Sequence, residues 1–234
     1  LNYQDKNEKM DFRFHKEVSI PLGKVTVQGE LIIPLKAKAI VIFSHGSGSS
    51  RFSKRNQMVA KYLHEKNLGT LLFDLLTEEE DQHYDNRFDI DLLTKRLVGA
   101  TEWMEKLPAA KDCRIGYFGA STGAASALKA AAILPHISAV VSRGGRPDLA
   151  MDILKNVEAP TLLIVGSLDY DVLQLNKEAY MQLECEKKVE VVEGATHLFE
   201  EPGKMEIVSE LAGNWFEKYL NQVQAVPYLH TGMR

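Results

Sequence analysis

Five short apolar runs constrain this chain most: AIVIFS at 39–44, GTLLFD at 69–74, CRIGYFG at 113–119, ISAVVS at 137–142 and PTLLIVG at 160–166. Runs of this length with little polar alternation suit strands covered on both faces, and that cover requires helices above and below a sheet. The segments between them carry apolar residues at helical spacing, over 54–66, 91–106, 121–134, 148–156, 172–184 and 204–220. Strand and helix therefore alternate, which predicts a parallel, doubly wound sheet. KKVEVVE at 187–193 supplies a last strand. Residues 16–33, KEVSIPLGKVTVQGELII, instead alternate apolar and polar about a Pro and a Gly, the pattern of an antiparallel hairpin with one face in water. The expected class is α/β, as one domain over 1–234 with a polar N-terminal stretch, a core from about residue 20 to 220 and a C-terminal tail.

Composition narrows function by exclusion. The chain is 45% hydrophobic and 26% charged, as ordinary globular proteins are. A formal charge of -4 offers no basic surface to neutralise phosphates, so nucleic acid is not an expected partner. No stretch reaches the roughly 18 unbroken apolar residues of a membrane span, and LNYQDKNEKM at the N-terminus lacks the apolar core of a secretory signal. A cytoplasmic protein without membrane contact is expected, although a first residue other than Met is what trimming of a leader leaves. Cys113 and Cys185 form no close motif, so both are expected as reduced thiols and neither as a catalyst. No H-E-x-x-H or comparable ligand cluster occurs, and no metal is expected. Nothing in the sequence favours a homodimer over a monomer.

Gly119-Ala120-Ser121-Thr122-Gly123 matches G-x-S-x-G and lies between the strand RIGYFG and the small-residue helix STGAASALKAAAIL. A serine that opens a helix is commonly its cap. In this context it also fits a strained strand-to-helix turn that lifts the hydroxyl out of the sheet, with glycines leaving room for nearby backbone. An alcohol is a poor nucleophile at neutral pH and needs a base, most often histidine. His197, in EVVEGATHLFEE, lies in the loop after the last strand; His15, His64, His83, His136 and His230 have no such strand-end position. The base needs a carboxylate to fix its tautomer, and Asp169 in LLIVGSLDYDV is the leading candidate, with Asp171 and Asp148 as alternatives. The order Ser121, Asp169, His197 is that of one particular fold. An oxyanion requires two N–H donors, expected from Thr122 and from Ser47 in the glycine-rich loop SHGSGSS. That loop is not a phosphate loop, because no lysine follows the glycines in the G-x-x-x-x-G-K-[ST] arrangement.

Two further features stand at the expected carboxyl end of the sheet. The acidic insertion TEEEDQHYDNRFDID at 77–91 reads as a solvated loop, or as the border of a pocket over the crevice. Arg51, Arg55, Arg143 and Arg146 follow strand ends, where they either bind an anionic substrate group or form surface ion pairs with that acidic insertion.

HGSGSSRFSKRN, FDIDLL, GYFGASTGAA, SRGGRPDLA, LLIVGSLDYDV and GATHLFEEPG together resemble the α/β-hydrolase superfamily, and within it the dienelactone-hydrolase-like family, over about residues 20 to 220. The resemblance implies an eight-stranded, mostly parallel sheet without a large lid, and a serine-type carboxylic-ester hydrolase without a cofactor. It carries the nucleophile, acid and base over to Ser121, Asp169 and His197, and the oxyanion donors to Thr122 and the Ser47 region. Dienelactone hydrolases proper have a cysteine at the place of Ser121 and a glutamate at that of His45. Several relatives are fused to or grouped with phosphoribosyltransferases, a domain not expected here. The expected substrate is a small ester or lactone. An amidase or acyltransferase on the same triad, or a non-catalytic ligand-binding protein on the same fold, are the alternatives.

Overall fold

A computed structural model describes residues 11–221; LNYQDKNEKM and the tail from residue 222 lie outside the described residues. The N-terminal hairpin pairs β1 (Phe12–Leu22) with β2 (Val25–Pro34), in antiparallel register from Leu22↔Val25 outward. Gly23 takes the turn with a φ of 72°, a conformation glycine adopts without a Cβ penalty. Six further strands follow: β3 (Ala39–Ser44), β4 (Gly69–Phe73), β5 (Arg114–Ala120), β6 (Ala139–Arg143), β7 (Thr161–Gly166) and β8 (Lys187–Val192). They form one eight-stranded sheet in the order β1-β2-β4-β3-β5-β6-β7-β8, in which β2 meets β4 antiparallel and all later pairs are parallel.

The helices are α1 (Lys54–Glu65), α2 (Glu78–Asp81), α3 (Ile90–Glu105), α4 (Thr122–Ile133), α5 (Tyr170–Gln182) and α6 (Lys204–Leu220). Side chains alternate across β3: Ile40 and Ile42 join a core with residues of α3, α4 and α5, whereas Ala39, Val41 and Phe43 join a second core with α1 and α6. This is why the run AIVIFS has no polar position until its end: each face is a core. Each fully buried Ile or Phe contributes roughly 1.5–3 kcal/mol of transfer free energy. Gly116 lets α6 lie close to the sheet, since a Cβ there would stand 2.9 Å from the Phe216 ring.

Two segments differ from their sequence reading. Residues 148–156 do not form an α-helix; Pro147–Asn156 is a 3₁₀ stretch interrupted at Ala150, whose φ of -131° breaks the helical ladder. The insertion at 77–91 is not an open loop. Thr77 and Glu80 form a reciprocal capping box at the start of α2, and a short 3₁₀ turn, Tyr84–Phe88, leads into the Asp89 cap of α3. Two of its carboxylates are paired nearby, Asp81 with Arg87 and Glu80 with the nearly buried Arg96.

The strand order brings β3 and β5 side by side and reverses direction there, so the crevice beyond their carboxyl ends collects loops from distant parts of the chain.

Candidate active site

Ser121 follows β5 with φ 51° and ψ -122°, a region that side chains with a Cβ rarely occupy and that costs of order 1–3 kcal/mol. Backbone bonds hold it there: its N–H donates to Arg143 O at 3.2 Å, and its carbonyl accepts from Arg146 N at 3.0 Å and Ala124 N at 3.0 Å. The glycines on either side are required by contact. A Cβ on Gly119 would lie 2.5 Å from Ala124 Cα, and one on Gly123 would lie 2.1 Å from Ser44 O. Although Ser121 stands at the cap position of α4, its side chain makes no capping hydrogen bond. The hydroxyl is therefore not spent on the helix.

His197 lies between β8 and α6, and its Nδ1 is 2.7 Å from Asp169 Oδ2. A carboxylate only accepts, so Nδ1 carries the proton and Nε2 of the neutral ring keeps a free lone pair. Asp169 stands at the N-cap position of α5 after β7 without a side-chain capping bond, and its carboxylate is largely shielded from solvent at 14% exposure. The histidine loop is fixed on both sides. Thr196 donates from its hydroxyl to Glu201 at 2.6 Å, and Gly144 passes so closely that a Cβ there would meet His197 O at 3.1 Å. Of the alternative acids, Asp148 is occupied by a two-pronged bond from Arg146, at 2.8 and 2.7 Å. Asp169, not Asp148, is brought to the histidine.

The β3 loop reaches the elbow from the other side: a Cβ on Gly46 would stand 3.1 Å from Ser121 Cβ. The Ser47 N–H donates to Thr122 Oγ1 at 2.9 Å, which ties together the two segments expected to supply oxyanion donors. Thr122 opens α4, so its own N–H has no carbonyl four residues back within the helix. The sequence reading did not anticipate the hydroxyl link, nor the part played by His45. The His45 ring is buried and accepts the Leu75 N–H on Nε2 at 3.1 Å, so its Nδ1–H donates to Gly46 O at 3.0 Å. Desolvation holds its pKa below the usual histidine value, and the neutral ring latches the loop to the segment after β4. A histidine ending a fully apolar strand run was the available signal. Behind the elbow, Ser44 and Ser126 share a buried hydrogen bond of 2.7 Å, and Asn176 donates to Gly145 O at 3.0 Å.

A cleft of about 370 Å³ opens beside the β3 loop, lined by Gln28, His45, Arg51, Asp74, Thr77 and Asp81 among others, and not by the three residues Ser121, Asp169 and His197. The insertion at 77–91 thus borders a cleft. Its carboxylates do not pair with the four arginines named from the sequence. Arg51 bonds Asp74, Arg55 bonds Glu200 at 2.8 Å, Arg146 bonds Asp148, and Arg143 has no ion-pair partner among the described residues. Cys113 and Cys185 are free, and burial raises both thiol pKa values, which keeps them protonated. Among the described residues no group of three or more His, Cys, Asp or Glu side chains is placed to hold a metal ion, and no helix is long and apolar enough to cross a membrane.

Residues 27–225 match the model of the Dienelactone hydrolase family. The chain belongs to this family. The dienelactone hydrolase of Anabaena variabilis is 50% identical in sequence and superposes with a TM-score of 0.85, over 88% of this chain and 98% of that one. Est1E from Butyrivibrio proteoclasticus shares the fold at 16% identity, with a TM-score of 0.76 over 88% of this chain and 99% of that one. A Mycobacterium tuberculosis protein named "Putative phosphoribosyl transferase" is 52% identical over 206 residues, 88% of this chain. The chain spans 46% of that relative's length. Membership in the dienelactone hydrolase family makes this a hydrolase-type chain on the α/β-hydrolase fold.

Proposed function

We propose that the protein hydrolyses carboxylic esters or lactones through an acyl-enzyme on Ser121. The observation that carries this reading is the pairing of His197 Nδ1 with Asp169 at 2.7 Å, together with a serine held at a positive-φ elbow whose hydroxyl makes no capping bond. Ser121 Oγ attacks the carbonyl carbon while His197 Nε2 takes its proton, and Asp169 stabilises the imidazolium. The tetrahedral oxyanion accepts from the N–H groups of Thr122 and Ser47, the latter shared with or released from Thr122 Oγ1. Collapse expels the alcohol, which receives the proton from His197; in a lactone the alcohol stays tethered to the acyl group. Water activated by the same base then attacks the acyl-enzyme and frees Ser121.

Serine in place of the family's cysteine keeps acyl transfer and changes the nucleophile's protonation chemistry, since a hydroxyl depends on the base more heavily than a thiol does. The transferase name of the mycobacterial relative describes a chain of which this one covers 46%, so the name does not carry to these residues. Two reduced thiols fit a cytoplasmic setting. The test is turnover of p-nitrophenyl acetate by the wild-type protein, Ser121→Ala and His197→Ala. Hydrolysis lost in both variants at unchanged Tm is expected; hydrolysis retained in Ser121→Ala contradicts the mechanism.

A further inference from the structure

Among the described residues, four that are not glycine take a positive φ: Asn67, Asp112, Ser121 and Phe199. Asn and Asp visit this region readily, and Ser121 is the proposed nucleophile, but a bulky apolar side chain there is an outlier. The two other positive-φ positions of the loop around His197, at 68° and 79°, are Gly194 and Gly203. Phe199 is held at 56° by its ring, which is 1% exposed in the core it shares with α1 and α6. A Cβ on Gly144 would touch that ring at 3.4 Å, and the Arg143 guanidinium stands 5.8 Å from its centroid.

This anchor closes the turn that carries His197. The Phe199 N–H donates to Thr196 O at 3.2 Å, so residues 196–199 form a β-turn with His197 at its second position. Glu201 clamps the first residue of the turn, accepting the Thr196 hydroxyl at 2.6 Å and its N–H at 3.2 Å, and the buried ring holds the last. The His197 side chain has little else to orient it. It is 37% exposed, and the bond to Asp169 is the one hydrogen bond it makes among the described residues. Its Nε2 has to stay unbonded to take a proton, so the place of the ring is set by Asp169 and by the turn beneath it. The Phe199 ring also lies against the Arg143-Gly144 segment, whose Arg143 carbonyl accepts the Ser121 N–H at 3.2 Å. One stretch of backbone thus touches both the nucleophile and the anchor of the base.

We propose that Phe199 is the positioning residue of His197: its buried ring holds a strained turn that fixes where the imidazole stands against Asp169 and the Ser121 elbow. The inference rests on the hydrolase reading for the task of the base, while the anchored turn stands on its own contacts. Phe199→Leu keeps an apolar side chain and shortens the anchor, so the turn loses its fixed end.

Two readouts separate positioning from loss of core packing, with Phe216→Leu as the control. Phe216 is fully buried in the same core, against Gly116 in the middle of β5. Both variants are expected to lose stability, as shortened core side chains do. The first readout is p-nitrophenyl acetate kinetics. In Phe199→Leu kcat is expected to fall by about 10–10²-fold with KM little changed, the effect of a shift of up to about 1 Å at a reacting group, whereas Phe216→Leu keeps kcat. Equal falls in the two variants overturn the proposal. The second readout needs no catalysis: the downfield proton resonance of His197 Nδ1–H in its charge-assisted bond to Asp169, assigned by its absence from His197→Gln. It is expected to shift or broaden in Phe199→Leu and to stay in place in Phe216→Leu. An unchanged resonance in Phe199→Leu, or none in wild type, overturns the proposal. Should Phe199→Leu not fold, Phe199→Met, which fills more of the space with a flexible chain, is read against the same control and the same outcomes. If Ser121 proves unreactive, the hydrolase reading fails and the resonance still decides whether Phe199 positions His197.

Discussion

Gly123→Ala tests whether the elbow is packed as described. An added Cβ would stand 2.1 Å from Ser44 O, 2.5 Å from His45 O and 2.6 Å from Ser44 C, all of them backbone atoms at the end of β3. An ordinary C···O contact is about 3.4 Å, so the elbow and β3 must part by more than about 1 Å. Neither side gives easily, because β3 is hydrogen-bonded to β5 up to the pair Ser44↔Gly119. Overpacking of this kind costs about 1–3 kcal/mol, and the opposing backbone puts it at the upper end. The same shift moves the Thr122 N–H away from the Ser47 loop, and a 1 Å misplacement at a reacting centre costs on the order of 10²-fold in rate. Gly203→Ala is the control. Nothing lies within 4 Å of its added Cβ, and the change carries only the strain of a φ of 79°, about 1–2 kcal/mol. Thermal denaturation and p-nitrophenyl acetate kinetics measure both variants. Wild-type Tm and full activity in Gly123→Ala would refute the packing argument.

Asp169→Asn keeps the shape at His197 and removes the charge that fixes its tautomer, so kcat is expected to fall by roughly 10³–10⁴-fold with little change in Tm; a fall under about tenfold would separate Asp169 from the mechanism. Thr122→Val removes the acceptor of the Ser47 N–H. The expected result is a loss of about 1 kcal/mol of stability and a kcat reduced by up to about 10²-fold at similar KM, while a raised kcat would show that the hydroxyl competes with the oxyanion. Stability is expected to fall as pH drops from about 6.5 towards 4. Burial lowers the pKa of His45 and takes that of His64 from 6.5 to about 4, so in this window the unfolded chain binds more protons than the folded one. Replacement of His64 by Gln should shallow the fall in Tm between pH 7 and pH 5, and a flat wild-type profile would contradict the assignment.

The strands were legible because burial on both faces writes itself as uninterrupted apolar runs, and every run quoted from the sequence lies on an observed strand. The stretch 148–156 was misread because apolar positions three and four apart look alike over so few residues, and the break at Ala150 leaves no compositional mark. In the acidic insertion the T-x-x-E signal of a capping box was present at Thr77 and Glu80, but the high charge drew the reading towards open loop. The G-x-S-x-G pattern singles out Ser121, and places just after strands single out His197 and Asp169, with Asp171 and Asp148 left as alternatives. Which carboxylate meets His197, how Thr122 holds Ser47, and which arginine lacks a partner depend on side-chain placement across loops far apart in sequence, and no local pattern encodes that.

Exposure of the protein to a fluorophosphonate, followed by intact mass and peptide mapping, tests the central claim most directly. The account predicts one adduct, on Ser121, that is absent from Ser121→Ala and strongly slowed in His197→Ala. A folded wild-type protein that acquires no adduct on Ser121 would contradict it.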